Sequence, residues 1–220
     1  MQTYPSAVLL DMDGTLLDSE SLYKELWQKT AREFDIDLND AVYAQFIGAR
    51  YDQCLKMIQK LGGARFHLPD FLKALSRYEK GVLPPAKPGA LPFIDWLEEK
   101  GIPKAVVTSS GSAKTEQNLK ILGGRERFQA VIAGNDVVHP KPSPEPYLLA
   151  CEQLGFSPEV TMAIEDSPTG ARSAIVAGCQ TVVVPDVLPI QKTIQEQSLV
   201  VLKSLALLPE WIDKHLSTNS

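Results

Sequence analysis

Four apolar residues, Ala7-Val8-Leu9-Leu10, lead without a break into Asp11-Met12-Asp13-Gly14-Thr15. A short run that is apolar at every position suits a strand buried on both faces, as in a parallel sheet. Such sheets hold ligands beyond the carboxyl ends of their strands. Residues i and i+2 of an extended chain point the same way, so Asp11 and Asp13 start out as a converging pair at a strand end. Gly14 lets the backbone turn sharply after them. Two carboxylates this close repel each other unless a cation, a proton or a basic side chain offsets them. By itself the pair is equally the Asp-rich loop that caps a helix.

The rest of the chain decides what kind of sheet this strand enters. From Ala90 onward helices and strands alternate: helices over 90–100, 113–122, 144–154 and 169–177, strands over 104–108, 130–133, 160–164 and 181–184. Gly101, Gly123-Gly124, Gly155 and Gly178 close the helices. This alternation predicts an α/β fold, a doubly wound parallel sheet. Residues 199–202 are expected to add a strand and 209–216 a short helix. One βαβ unit takes about thirty residues, yet Leu10 and Lys104 stand several such lengths apart. The surplus reads as four helices, over 19–34, 39–46, 51–61 and 68–80. Leu22, Leu26 and Phe34 share one face of the first, and Leu55, Ile58 and Leu61 are spaced as the inward face of the third. A helical domain inserted after the first strand is therefore expected. Its boundaries put residues 1–17 and 88–220 in the α/β core and 18–87 in the insertion. Pro84, Pro85 and Pro88 stiffen the return linker.

With 220 residues the chain can bury one core and a small second one. A net charge of −5 argues against a general nucleic-acid or membrane surface. Cys54, Cys151 and Cys179 form no Cys-x-x-Cys pair, which suggests free thiols in a reducing compartment. The N-terminal apolar run is broken at Asp11, against a signal peptide. No run approaches the ~20 residues of a membrane span. A cytoplasmic location and a monomer are the expectations.

Each strand end should deliver residues to one edge. After the second strand come Thr108-Ser109-Ser110-Gly111, donors suited to an anion at a helix start, or simply a helix cap. After the third, Lys141 stands in His139-Pro140-Lys141-Pro142, a stiff backbone, though an isolated lysine is more often solvated. After the fourth come Glu165 and Asp166, two carboxylates directly behind a buried run, hard oxygen ligands of the kind magnesium takes.

The order Asp-x-Asp, Thr/Ser, Lys, Glu-Asp, each behind an apolar strand, resembles the four motifs of the haloacid dehalogenase superfamily, whose members are mostly phosphatases. The insertion looks like the α-helical cap of its β-phosphoglucomutase-like and phosphoglycolate-phosphatase-like branch. Residues 107–112, 183–186 and 198–205 are similar to pseudouridine-5'-phosphatase-type proteins. The resemblance implies a phosphomonoester hydrolase acting on a small sugar-phosphate or nucleotide-like phosphate. It makes Asp11 the nucleophile that forms an aspartyl-phosphate, and Asp13 the general acid and then base, so a bell-shaped pH dependence is expected. It has Thr108 and Ser109 binding phosphoryl oxygens and Lys141 stabilising their charge. Magnesium would be held by the Asp11 side chain, the Asp13 carbonyl and Asp166, with Glu165 helping directly or through water. The active site would lie at the seam between core and cap.

On the cap, Glu20, Gly48, Arg50 and Tyr51 are candidates, Arg50 foremost as a substrate-binding residue. His67 and His139 are expected to do nothing. Asp13 separates the chain from the dehalogenases, which lack it. A phosphomutase resembling β-phosphoglucomutase shares the first motif but needs cap groups to grip a distal phosphate, and Arg50 and Lys80 match that pattern poorly. Receiver domains combine similar residues but are shorter and lack the insertion. A phosphometabolite-binding module without chemistry is the remaining rival.

Overall fold

The computed structural model describes residues 4–47 and 51–216. It divides into two compact units, residues 1–18 with 85–220, and residues 19–84. Strand β1 (Ala7–Leu10) comes first, followed by the four helices of the smaller unit: α1 (Ser19–Glu33), α2 (Asp40–Tyr43), α3 (Tyr51–Gly62) and α4 (Leu68–Glu79). The larger unit then continues through α5 (Ala90–Glu99), β2 (Lys104–Val107), α6 (Ser112–Leu119), β3 (Ala130–Ile132), α7 (Glu145–Leu154), β4 (Thr161–Glu165) and α8 (Pro168–Ala177). It ends with β5 (Gln180–Val183), α9 (Lys192–Gln197), β6 (Val200–Val201) and α10 (Leu208–His215).

The six strands form one sheet in the order β3-β2-β1-β4-β5-β6, and every pairing is parallel. The apolar strand runs are the sign of this arrangement, because helices cover both faces. Val8, Leu10, Val106, Met162, Ile164 and Val182 pack with Phe93, Ile94 and Leu97 of α5 and Ile212 of α10. On the opposite face Leu9, Ala105, Val107, Ile132 and Ala163 pack with Tyr147, Ala150 and Cys151 of α7 and Ala174 of α8. The doubly wound expectation holds.

The smaller unit has its own core: Leu26, Trp27, Ala31, Ile36, Leu38, Tyr43, Phe46, Ile58, Phe71 and Leu75 are buried together. Trp27 meets Phe46, Tyr51 and Phe71 ring edge to face. The expectation that Leu61 faces inward is wrong. Leu61 is 43% exposed, and Cys54 and Ile58 carry the buried stripe of α3 instead. Helix α2 is shorter than expected, capped by the Asn39 side chain on the Val42 N–H and running out into turns after Tyr43. Where the chain leaves and re-enters the larger unit, Asp18 N–H donates to the Pro85 carbonyl and Leu17 bridges Ala86 antiparallel. Lys87 pairs with Asp186 and lies 3.7 Å from Asp18.

All three cysteines are buried, and none forms a disulfide among the described residues. Among the described residues no helix is long and apolar enough to cross a membrane.

Candidate active site

Strand β1 lies between β2 and β4, and after β3 the chain crosses back over β1 to form β4. This reversal opens a crevice at the carboxyl end of β1, where α/β sheets bind ligands. Alternation along the strands decides what enters it. Leu9, Val107 and Ala163 face α7, so Asp11 and Glu165, two residues beyond Leu9 and Ala163, emerge on that side. Lys141 and Tyr147 flank the start of α7 and meet them there.

The Lys141 ammonium donates three hydrogen bonds: to Asp11 Oδ1 at 2.7 Å, to Glu165 Oε1 at 2.6 Å and to the Val107 carbonyl at 3.0 Å. An ammonium has three protons, so its capacity is filled. Glu165 is fully buried and takes three partners: Lys141 and the Tyr147 hydroxyl (2.6 Å) on Oε1, and the Ser167 hydroxyl (3.3 Å) on Oε2. Gly170 lies against this carboxylate, and a Cβ there would come within 1.9 Å of Oε1.

Asp13 Oδ2 accepts from the Ser110 hydroxyl at 2.7 Å and the Thr108 hydroxyl at 3.3 Å. The Thr108 oxygen also accepts the Ser110 N–H at 3.0 Å. Asp166 takes the Thr15 hydroxyl at 3.3 Å. Gly14 has φ +88°, and a Cβ there would sit 2.3 Å from Asp166 Oδ2. Gly14→Ala therefore combines left-handed backbone strain with displacement of Asp166. A loss of kcat on the order of a hundredfold is expected, checked by steady-state kinetics across a magnesium titration. A variant indistinguishable from wild type in that titration would contradict the placement.

Asp11, Glu165 and Asp166 each bring a carboxylate oxygen within 4.8 Å of the others. Burial, then Glu165, raises the Asp11 carboxyl to about 7 against the pull of Lys141. Burial, then Asp11 and Glu165, raises Asp166 to about 9. For Lys141, burial works against the charge, but Asp11 and Glu165 outweigh it and hold the ammonium above its ordinary range. Among the described residues, Asp11 Oδ2 and Asp13 Oδ1 are buried without a hydrogen-bond partner. Excess negative charge, orphaned oxygens and an all-oxygen donor set fit a hard divalent cation such as magnesium.

The structure thus gathers Asp11, Asp13, Thr108, Lys141, Glu165 and Asp166 at one edge. Ser109 is at the same edge but exposed. Gly48 and Arg50 lie outside the described residues. Glu20 hydrogen-bonds Tyr43 inside the helical unit, and Tyr51 is 62% exposed. His67 pairs with Asp70 and His139 with Glu145, both local surface contacts. Thr15 and Tyr147 have no role legible in the sequence. Ser110 belongs to the donor segment 108–111, whereas Tyr147 carries no sequence signal beyond its place in the helix over 144–154.

A sequence profile of haloacid dehalogenase-like hydrolases matches residues 8–184, from β1 through β5. The chain belongs to that family. As a haloacid dehalogenase-like hydrolase it is 28% identical over 179 residues to a phosphorylated carbohydrates phosphatase of Thermotoga maritima, covering 80% of this chain and 83% of the relative. It is also 28% identical to hexitol phosphatase A of Escherichia coli, over 80% of this chain and 81% of that one. A solved structure described as a putative beta-phosphoglucomutase from Thermotoga maritima superposes with a TM-score of 0.84 at 27% identity, covering 96% and 99% of the two chains. Within its family the chain is an enzyme of the phosphatase kind.

Proposed function

We propose that this hydrolase cleaves a small phosphorylated carbohydrate or related phosphomonoester, with magnesium, through an aspartyl-phosphate on Asp11. The observation that carries the reading is the Asp11 carboxylate itself. Lys141 holds one oxygen, the other is buried without a partner among the described residues, and the carboxylate belongs to a cluster with Glu165 and Asp166.

In the first step an Asp11 oxygen bonds to phosphorus and the bond from phosphorus to the ester oxygen breaks. The leaving alkoxide takes a proton from the Asp13 carboxyl. In the second step Asp13 takes a proton from water, whose oxygen attacks phosphorus, releasing phosphate and the Asp11 carboxylate. Splitting the reaction in two replaces one hard displacement with two easier ones. Lys141 offsets charge on Asp11 throughout, and the Thr108 hydroxyl and Ser109 N–H are assigned to phosphoryl oxygens. Magnesium, held by Asp11, the Asp13 carbonyl and Asp166, would supply charge neutralisation at the transferring phosphoryl group. Glu165, occupied by Lys141, Tyr147 and Ser167, is assigned to the support of this set. Arg50 is assigned to substrate binding.

The test is phosphate release from a panel of sugar, polyol and nucleoside monophosphates with magnesium. Release from one or a few, abolished by excess EDTA, is expected. Unchanged rates in EDTA would contradict the metal assignment. The solved relative described as a putative beta-phosphoglucomutase favours one second reading, a phosphomutase. β-Glucose 1-phosphate with glucose 1,6-bisphosphate separates the two, since a mutase yields glucose 6-phosphate without net phosphate release.

The raised carboxyls also predict a pH effect on the metal-free protein. Asp11 and Asp166 lie above the ordinary carboxylate range of about 4, so the folded chain keeps protons that the unfolded chain releases. Their contribution is fully present below that range and is lost as pH rises through about 7 and then about 9. In EDTA the melting temperature should fall between pH 6 and pH 9 (roughly this window). Magnesium should raise it more at the alkaline end. A flat profile with no magnesium effect would contradict the charge crowding.

A further inference from the structure

We infer that Tyr147 is a positioning residue for the reaction, acting through Glu165 to hold Lys141 against Asp11. The inference rests on the phosphatase reading above.

Tyr147 is fully buried in the first turn of α7. Its ring packs among Leu9, Val107 and Ala163 on one face of the sheet, so a phenylalanine would fill the same space. The hydroxyl is the part that packing does not require, and it donates to Glu165 Oε1 at 2.6 Å. That same oxygen accepts from the Lys141 ammonium at 2.6 Å. The ammonium also stands 5.1 Å from the centre of the Tyr147 ring, so ring and hydroxyl both bear on it.

The consequence follows from hydrogen-bond counting. Glu165 Oε1 has two donors, and together they fix where it lies. The three acceptors of Lys141 then fix the ammonium, with Asp11 Oδ1 as the third corner of its set beside the Val107 carbonyl. Removing the Tyr147 hydroxyl frees Glu165 to rotate toward Ser167 alone and to draw Lys141 off Asp11. A charge-assisted bond lost in a dry site is costly. The geometry gives Glu165 a protein-facing duty: its oxygens point at a lysine, a tyrosine and a serine, and Gly170 leaves room for them.

The test uses the full chain with magnesium and an aryl phosphomonoester, comparing wild type, Tyr147→Phe, Glu165→Gln and the double variant. Tyr147→Phe should lower kcat about tenfold while KM stays within about twofold, because the group acts on a charge in the reaction and not on substrate binding. In the Glu165→Gln background Tyr147→Phe should have little further effect, as expected of residues acting through one contact. A tyrosine that merely packs would shift the melting temperature and leave kcat alone. Lysine side-chain ammonium NMR reads the same clamp without turnover. The Lys141 ammonium should exchange slowly in wild type and faster in Tyr147→Phe. An active wild type with an equally active Tyr147→Phe, or an effect carried undiminished into the Glu165→Gln background, would overturn the inference alone. A wild type that turns over no phosphomonoester would overturn the phosphatase reading and this inference with it.

Discussion

Asp11→Asn should lower kcat by about four orders of magnitude or more while leaving the fold intact. Asparagine has the shape of aspartate and keeps an oxygen for Lys141 Nζ, now 2.7 Å from Asp11 Oδ1. It lacks the anionic oxygen that the proposed mechanism bonds to phosphorus, and a missing nucleophile is among the largest single losses an enzyme can suffer. The stability side has the opposite sign. Asp11 is buried beside Glu165, and that surrounding raises its carboxyl to about 7. Removing the charge relieves repulsion with Glu165 and Asp166. The metal-free variant should therefore melt at the same temperature as wild type or above it at alkaline pH. Activity within tenfold of wild type would remove Asp11 from the mechanism.

Lys141→Ala should cost both stability and activity. The side chain is 5% exposed and stands between Asp11 (9%) and Glu165 (0%). Truncation leaves two buried carboxylates without their counter-cation. Breaking a buried ion pair from one side typically costs about 3–5 kcal/mol. Protonation of Asp11, whose carboxyl is raised to about 7, softens the loss at low pH, so the deficit should widen from pH 5 to pH 8. Urea unfolding at the two pH values reads this directly. Activity should fall on the order of a hundred- to a thousandfold, the usual scale for one donor lost at a developing anion. A variant as stable as wild type at both pH values would mean that Lys141 does not neutralise the pair.

The sequence made the sheet legible because a strand buried on both faces has no polar side to hide. The runs at 7–10, 104–107 and 161–164 are apolar or nearly so for that reason. The site was legible for a related reason: each polar group directly behind such a run is carried to one edge, as Asp11, Asp13, Thr108 and Asp166 are. What the sequence hid depends on neighbours distant along the chain. Tyr147 shows its hydroxyl only when β4 brings Glu165 beneath α7. Ser110 gains a role from Asp13, across the gap that the helical insertion opens. Lys87 finds Asp186, distant along the chain. Leu61 keeps helical spacing but lies past the reach of the smaller unit's core. Helix α9 buries one side chain, Ile194, and so has no periodic pattern to find.

The proposed mechanism turns on a phosphoryl group passing through Asp11. Acid-quenching the enzyme during turnover of a phosphomonoester with magnesium, then mapping peptides by mass spectrometry, tests this most directly. The account predicts an alkali-labile phosphoryl adduct on the peptide that contains Asp11, formed within the first turnover and absent from Asp11→Asn. Steady phosphate release with no adduct on that peptide, or with the adduct on another residue, would contradict it.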